Sequence, residues 1–369
     1  MTKVYLNRCE SYDVNELLPL LQNAISGLGV YDRLTPGAKV LVKPNLLMKR
    51  APDRATTTHP AVMEALCTLL VARGCDVTIA DTPGGLLSEN ILKNLYKETG
   101  MEDVAKRTGA KLDTTCAQVD VEVKDAKRSH ILTVLRSAAE ADCIISVGKL
   151  KTHGLTAYTG AVKNLFGLIP GILKMDYHAR YADVNAFSEV LLDIASWAKP
   201  VLSVVDGIVG MEGAGPSGGS PRKIGALLVS TDPHALDVVG ASLINLTPEE
   251  VPTLAMAQKY GLLPVPEVVG ESVESLSVPD FKHAPSDMSK VLTNPVFSKV
   301  VRSHPKVDPK KCVGCGICAR SCPGKAITIQ NKVPKFKLRS CIRCYCCQEL
   351  CPNTAISVWQ PFFMKLLQK

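Results

Sequence analysis

The sequence CVGCGICARSCP, residues 312–323, decides the fold of the C-terminal part of the chain, and CIRCYCCQELCP, residues 341–352, repeats its cysteine spacing. Each run has the form Cys-x2-Cys-x2-Cys-x3-Cys-Pro. In this spacing three closely spaced thiolates bind three corners of one iron–sulfur cube, and the fourth cysteine binds the other cube. Zinc sites more often pair two Cys-x2-Cys units across a longer gap. The pattern therefore predicts two [4Fe–4S] clusters rather than zinc sites or a disulfide knot.

The crossed pattern assigns four cysteines to each predicted cluster. The first cluster takes Cys312, Cys315, Cys318 and Cys351, and the second takes Cys341, Cys344, Cys347 and Cys322. Cys346 is a ninth cysteine that the pattern does not need, and we interpret it as a packing residue. Residues 307–358 resemble a bacterial-type two-cluster ferredoxin domain, which implies a small α+β fold.

The length and composition indicate a globular protein of two or three domains. The chain has 369 residues, of which 46% are hydrophobic and 21% are charged. It lacks an apolar run of about 18 residues, so we expect no transmembrane segment. The N-terminus has no apolar region typical of a signal peptide. With fourteen cysteines that suit a reducing compartment, these features predict a cytoplasmic location.

Positive charge is concentrated around the cysteine runs. The formal net charge is +8 with neutral thiols, and two oxidised clusters would lower it to about +4. We interpret these cations as neutralising the clusters, or alternatively as a docking surface for an acidic ferredoxin or flavodoxin. No aromatic residues are interleaved with them, so nucleic-acid binding is not expected. The cations are Lys306, Lys310, Lys311, Arg320, Lys325, Lys332, Lys335, Lys337, Arg339 and Arg343.

Residues 1–270 alternate between strand and helix patterns, which predicts an α/β domain with a mainly parallel, doubly wound, Rossmann-like sheet. A helix is predicted over 158–166. Prolines punctuate residues 271–306, which we interpret as a linker, and 359–369 form an apolar, basic tail predicted to dock as a helix. Strands are predicted over 4–6, 39–42, 76–80, 141–147, 201–205 and 225–230.

Polar residues follow several of these predicted strands, where open α/β sheets bind their ligands. Lysines in this position predict a pocket for a carboxylate or phosphate, with His153, His178 and Lys151 as the catalytic candidates, since imidazole titrates near neutrality. The carboxylates would act as acids or orient the lysines. The remaining candidates for substrate binding are Lys43, Asn45, Lys149, Lys163, Asn164, Asp81, Asp206 and Glu212.

Five segments of the chain resemble the domain-of-unknown-function family 362 (DUF362), in its version fused to a ferredoxin. They are KPNLL at 43–47, TTHP at 57–60, KLKTHG at 149–154, YTGAVKNLFG at 158–167 and DGIVGMEGAGP at 206–216. The resemblance covers nearly the whole chain and implies the fold and the clusters more than a substrate. The family is also similar in layout to the nickel-pincer lactate racemases, although no residues are carried over from them.

These observations together favour an iron–sulfur oxidoreductase. We expect the clusters to bring single electrons to the strand-end pocket, where an anionic substrate or an organic cofactor, such as a flavin, is reduced. The ferredoxin part should then pack near the strand ends. The alternative is a non-catalytic electron carrier or maturation factor whose α/β domain docks a partner protein or cofactor.

Overall fold

The structure is a computed structural model that describes residues 1–285 and 302–360. The middle of the expected linker and the tail from residue 361 onward lie outside these described residues. Within them, the chain forms a large α/β part, residues 1–285, and a small C-terminal part, residues 302–360.

Nine strands form one sheet in the order β11-β1-β10-β9-β7-β2-β3-β4, with β8 paired to β7. Neighbours are parallel except where β10 or β8 takes part. The α/β class with a mainly parallel sheet is thus confirmed. The strands of this part are β1 Thr2–Arg8, β2 Lys39–Pro44, β3 Asp76–Ile79, β4 Lys111–Leu112, β5 Gln118–Glu122, β6 Ile131–Leu135, β7 Cys143–His153, β8 Ala157–Thr159, β9 Leu202–Glu212, β10 Ser220–Ser230 and β11 Pro266–Gly270.

Helices cover both faces of the sheet, because successive side chains of a strand point to opposite faces. Val40 and Val42 pack in one apolar core with the first two helices, whereas Leu41 packs in another core with the long helix Val184–Ala198. The helices are α1 Val14–Gly27, α2 Pro60–Ala72, α3 Glu89–Glu98, α4 Met101–Thr108, α5 Arg136–Ala139, α6 Ala161–Asn164, α7 Leu173–Arg180, α8 Val184–Ala198, α9 Pro233–Ser242, α10 Pro252–Lys259 and α11 Val273–Leu276. Short 3-10 helices occupy Val30–Arg33, Pro52–Arg54, Leu165–Leu168 and Pro248–Glu250.

Strand β7 differs from the sequence prediction in a way that matters for the site. It continues six residues past the predicted end at Val147, so Lys149, Lys151 and His153 lie in a strand and not in a loop. The extension is held on both sides, since Lys151 pairs with Thr159 of β8 and with Met211 of β9. The helix predicted from Tyr158 therefore begins only at Ala161.

Strands β9 and β10 are also longer than the sequence predicted. They pair with each other from Ser203 to Glu212, with a shift of register between Lys223 and Ala226. Asp206, expected after a strand, consequently lies inside β9 with no exposed surface. A polar residue is tolerated there because it has charged and polar partners, described below.

The chain after β11 continues across the α/β part before it reaches the C-terminal part. Leu276 and Phe281 are buried in the apolar core that contains helix α9. The first half of the expected linker therefore covers apolar surface. No helix in residues 1–285 or 302–360 is long and apolar enough to cross a membrane.

The C-terminal part is built from two small antiparallel sheets and two short helices. Strand β12, His304–Val307, pairs with β15, Ile356–Trp359, and β13, Ile327–Gln330, pairs with β14, Val333–Phe336. The helices are α12 Ile317–Arg320 and α13 Cys346–Glu349, and each begins inside a cysteine run. Gly316 precedes α12 in a left-handed conformation, with φ of 72°, which glycine adopts without strain.

Candidate functional site

Two cavities of the C-terminal part are each lined by four cysteines. Cys312, Cys315, Cys318 and Cys351 line one cavity, and Cys322, Cys341, Cys344 and Cys347 line the other. All eight are free thiols. Backbone N–H groups of Ala326 and Ala355 donate hydrogen bonds to Sγ of Cys322 and Cys351, each at 3.2 Å. Grouped thiols with amide donors around a cavity fit the donor set of a [4Fe–4S] cluster.

A third cavity, which we call the interdomain cavity, lies between the α/β part and the C-terminal part and has about 550 Å³ of empty space. Six of the residues predicted from the sequence line it, namely Lys43, Asn45, Asp81, Lys163, Asn164 and His178. Thr82 and Lys174 line it from the same part, and Cys346, Glu349 and Leu350 line it from the C-terminal part.

Lys43 and Asp81 form a buried ion pair at the base of the interdomain cavity. Their Nζ and Oδ1 atoms are 2.8 Å apart, and the side chains are 1% and 3% exposed. Lys43 also donates to Oδ1 of Asn164 at 3.0 Å, and Asp81 accepts the backbone N–H of Thr82 at 2.8 Å. Burial lowers the pKa of Lys43, and the Asp81 carboxylate opposes that effect. The pair is electrically neutral as a unit.

Two other lysines bring positive charge to the cavity. Nζ of Lys174 donates to Oγ1 of Thr82 at 3.0 Å, and Nζ of Lys163 lies 5.7 Å from the centre of the Phe166 ring. Among the described residues, neither has a carboxylate within ion-pair distance. Burial lowers the pKa of Lys163, and it lowers the pKa of Lys174 to about 7. Lys174 can therefore exchange a proton near neutral pH.

Lys149 and Asp206 form a second buried ion pair, away from the lining of the interdomain cavity. Nζ of Lys149 is 2.8 Å from Oδ2 of Asp206, and Tyr12 joins both through its hydroxyl, at 2.8 Å from Nζ and 2.9 Å from Oδ1. The Tyr12 ring stacks on His59, with centroids 3.6 Å apart. This network satisfies every member, so it is a structural core and not a pocket.

Lys151 and His153 are likewise not among the residues that line the cavity, although they approach two that do, Asn45 and Glu349 respectively. Nζ of Lys151 donates to Oδ1 of Asn45 and to the carbonyl of Thr56, both at 2.7 Å. Burial lowers its pKa to about 7. Nδ1 of His153 accepts the backbone N–H groups of Leu155 and Thr156, and burial holds its pKa well below the usual range. Lys151 thus orients Asn45, which does line the cavity.

His178 lines the cavity in a neutral form. Burial lowers its pKa to about 3, with Lys163 and Lys174 acting in the same direction. Its ring stacks on Phe187 at 4.4 Å. An imidazole that stays neutral at physiological pH is a poor general acid. Glu212 accepts the backbone N–H of Lys282 at 3.2 Å and is outside the cavity lining.

The C-terminal part is attached to the rim of the interdomain cavity by several polar contacts. Nε2 of Gln348 donates to the carbonyl of Ala214 at 2.9 Å. Arg50 donates to the carbonyls of Ser217 at 2.8 Å and Pro352 at 3.1 Å, so its guanidinium joins the two parts. Helix α13 forms a wall shared by two cavities. Cys347 lines the second cysteine cavity, and Cys346 and Glu349 line the interdomain cavity.

Comparison with known proteins places the chain in a family. Residues 40–242 match the family described as a domain of unknown function, DUF362, and residues 304–352 match a 4Fe-4S dicluster domain. The chain belongs to the DUF362 family. A thylakoid-associated protein of Synechocystis sp. is 34% identical over 268 residues, which are 71% of this chain and 80% of that protein.

Two solved structures are similar to part of this DUF362 protein. The lactate racemase apoprotein from Thermoanaerobacterium thermosaccharolyticum has a TM-score of 0.43 and 14% identity, over 68% of this chain and 58% of that chain. A structural-genomics crystal structure from Thermotoga maritima has a TM-score of 0.36 and 12% identity, over 56% of this chain and 52% of that chain. The chain thus spans little more than half the length of either protein.

Three titratable residues of the cavity in this DUF362 protein were not predicted from the sequence. Lys174 follows no predicted strand, since it lies on helix α7. Cys346 and Glu349 belong to the C-terminal part, where Cys346 was interpreted as packing. The one available signal was Cys346 itself, a cysteine beyond the eight that the cluster spacing requires.

Proposed function

We propose that this DUF362 protein is an iron–sulfur oxidoreductase that reduces an anionic small molecule bound in the interdomain cavity. The observation that carries the proposal is the shared wall formed by helix α13. Cys347 and Cys346 are adjacent in sequence, yet one lines the second cysteine cavity and the other lines a cavity with three lysines. A cofactor in the first of these cavities would be separated from a ligand in the second by one helix.

We assign one [4Fe–4S] cluster to each group of four cysteines. Cys312, Cys315, Cys318 and Cys351 hold the first, and Cys341, Cys344, Cys347 and Cys322 hold the second. When bound, such clusters supply electrons one at a time. The cysteines keep their thiolates in a reducing compartment, and we expect the protein to work in the cytoplasm.

Lys163 and Lys174 bind the negative charge of the substrate. The Lys43–Asp81 pair is neutral, so the ammonium groups of Lys163 and Lys174 remain for a carboxylate or phosphate. Asn164 and Asn45 offer amide groups beside them. Charge-assisted hydrogen bonds of this kind are stronger than neutral ones, and they gain strength in a buried site. The same lysines stabilise the additional negative charge that a substrate acquires as it is reduced.

Lys174 donates the proton that accompanies reduction. With a pKa of about 7, Lys174 is protonated in a large share of the molecules at neutral pH. After it donates its proton, the neutral amine is stable in a buried site. Thr82 holds the amine through its hydroxyl and its carbonyl. Nearby His178, kept neutral by burial, does not compete for this role.

An acidic redox protein, of the ferredoxin or flavodoxin type, supplies the electrons. Cys315 of the first group is exposed, so that cavity opens to the protein surface. Exposed lysines close to it in sequence, Lys310 and Lys311, give the positive surface that such a partner recognises.

The test uses anaerobically purified protein with its clusters reduced. Small molecules released by the protein are identified by mass spectrometry, and a panel of small carboxylates and phosphates is added while cluster absorbance is followed. Reoxidation by one of these anions that is lost on substitution of Lys163 or Lys174 supports the enzyme. Reversible reduction by an acidic ferredoxin, with no released ligand and no anion-dependent reoxidation, would replace it with an electron carrier or maturation factor.

A further inference from the structure

We propose that His178, Cys346 and Glu349 form a binding site for a single divalent transition-metal ion. An imidazole nitrogen, the thiol sulfur and a carboxylate oxygen of these residues all lie within 4.8 Å of one another. All three side chains line the interdomain cavity. Bonds to zinc are about 2.0–2.3 Å long, so the ligand atoms of a tetrahedral site are roughly 3.3–3.8 Å apart. An inward shift of up to roughly 1 Å by each side chain therefore brings all three donor atoms to one ion.

The donor set has the chemistry of a site for zinc or another late first-row metal. Thiolate and imidazole favour zinc, iron, cobalt and nickel over magnesium or calcium. Cys346 and Glu349 lie three residues apart on one short helix, and His178 comes from helix α7 of the other part. Three protein ligands leave a fourth position open, which is the arrangement of catalytic rather than structural zinc sites.

The surroundings of Cys346 and Glu349 contain a competing contact, a side-chain hydrogen bond between Cys346 and Cys344, whose proton a metal ion bound to Cys346 would displace. Cys346 is buried and lies outside both groups of four cysteines. The Glu349 side chain is 15% exposed, and its contact with Nε2 of His153, at 4.0 Å, is with a neutral imidazole because burial holds the pKa of His153 low. A carboxylate that is mostly removed from water requires a compensating charge. Lys151 and Lys163 attract Glu349 from beyond ion-pair distance, and a divalent ion bound to it would add a direct contact.

Lys163 and Lys174 in the same cavity oppose a cation, so the charge of the ion must be neutralised by its own two acidic ligands. A divalent ion bound by one thiolate and one carboxylate forms a neutral centre. An anion that occupies the open position would then be held by the metal and by the two ammonium groups together. The metal site goes beyond the proposed reduction, because metal loading can be measured without any substrate or electron donor.

The experiment loads zinc into protein whose iron–sulfur clusters are already complete. After excess Zn²⁺ is removed, zinc per chain is measured by mass spectrometry of the elements, and the zinc environment by X-ray absorption at the zinc edge. We expect one zinc per chain with one sulfur neighbour at about 2.3 Å and nitrogen or oxygen neighbours at about 2.0–2.2 Å. Absorption at this edge is independent of cluster iron.

Single variants then assign the ligands. Cys346→Ser, Glu349→Gln and His178→Gln should each weaken zinc binding at least tenfold with iron and sulfide content unchanged. Cys116→Ser, which changes a thiol outside all three cavities, is the matched control and should bind zinc like the wild type.

Three outcomes would overturn the site. They are a zinc environment of four sulfurs, zinc binding that survives Cys346→Ser, and loss of iron in that variant, which would make Cys346 a cluster ligand. If a variant does not fold, the X-ray absorption of the wild type still decides the ligand set. A failed metal site with anion binding that still depends on Lys174 would leave the proposed oxidoreductase standing.

Discussion

The ammonium nitrogen of Lys43 lies 2.8 Å from Oδ1 of Asp81, and both side chains are almost completely buried. The second carboxylate oxygen of Asp81 accepts the backbone N–H of Leu46 at 2.5 Å. This hydrogen bond connects the loop after β2 to the loop after β3. This pair fixes the base of the interdomain cavity. It also balances the charge of Lys43, so the anion binding that we propose relies on Lys163 and Lys174.

Substitution of Lys43 by methionine should destabilise the protein strongly. The change leaves the Asp81 carboxylate buried without its partner, and breaking such a pair costs about 3–5 kcal/mol. Chemical denaturation of anaerobically purified protein measures the loss. The double variant Lys43→Met/Asp81→Asn should recover part of it, since the uncompensated charge is gone. A loss below about 1 kcal/mol in the single variant would show that the pair is not desolvated.

Gly167→Ala should also disrupt the Lys43–Asp81 ion pair, by steric overlap. A Cβ atom at Gly167 would overlap Oδ1 of Asp81 and Nζ of Lys43. Overpacking of this kind costs about 1–3 kcal/mol, and displacement of Lys43 should also weaken anion binding. Gly154→Ala is the control at the same interface, because its nearest neighbours, Gln348 and Tyr345, would be 3.8 Å away. Equal thermal stability of the two variants would contradict this account.

Removal of the Lys163 ammonium group should weaken anion binding without affecting the clusters. A hydrogen bond to a charged group contributes about 1.5–3 kcal/mol. Lys163→Met should therefore raise the dissociation constant of the anion by roughly ten- to hundredfold. Titration calorimetry with the anion identified by mass spectrometry measures this dissociation constant. Lys97→Met, at an exposed position of helix α3, should bind like the wild type. Unchanged affinity in Lys163→Met would remove this lysine from the site.

Anion binding should weaken as the pH rises through about 7. The pKa of Lys174 is lowered to about 7 by burial, so the ammonium form that attracts an anion is lost above that pH. At pH 6, Lys174→Met should bind the anion with lower affinity than the wild type. Its affinity should also no longer change as the pH passes through neutrality. The comparison requires affinities measured from pH 6 to 9 for both proteins. A step that persists in the variant would assign the titration to another group.

Iron and acid-labile sulfide should approach about eight of each per chain, as expected for two [4Fe–4S] clusters. Cys351→Ser changes a ligand of the first group of cysteines, although it lies in the second sequence run. Its effect should therefore match that of Cys312→Ser in the spectrum of the remaining cluster, observed by electron paramagnetic resonance. Cys116→Ser should retain both clusters. A spectrum that matches Cys341→Ser instead would reject the crossed assignment.

The sequence predicted which residues could take part in the site better than it predicted where they lie. Lys43, Asp81, Lys163 and Asn164 follow local patterns and do line the interdomain cavity. Lys149 and Asp206 follow the same kind of pattern but neutralise each other inside the sheet. The difference depends on the extension of β7 beside β9, a long-range pairing that no local pattern contains.

The cysteine spacing by itself determined the ligand type, and the strand–helix alternation determined a mainly parallel sheet, because both depend on residues that are close in sequence. Only the tertiary structure decided that Cys346 and Glu349 meet His178. Cys346 and Glu349 are more than 160 positions from His178 in the sequence, and they approach it because α13 contacts the loops that follow β7 and β9. The tertiary structure also decided which lysines of the cavity keep an unbalanced positive charge for the proposed anion. That selection depends on burial and on ion pairing between distant strands.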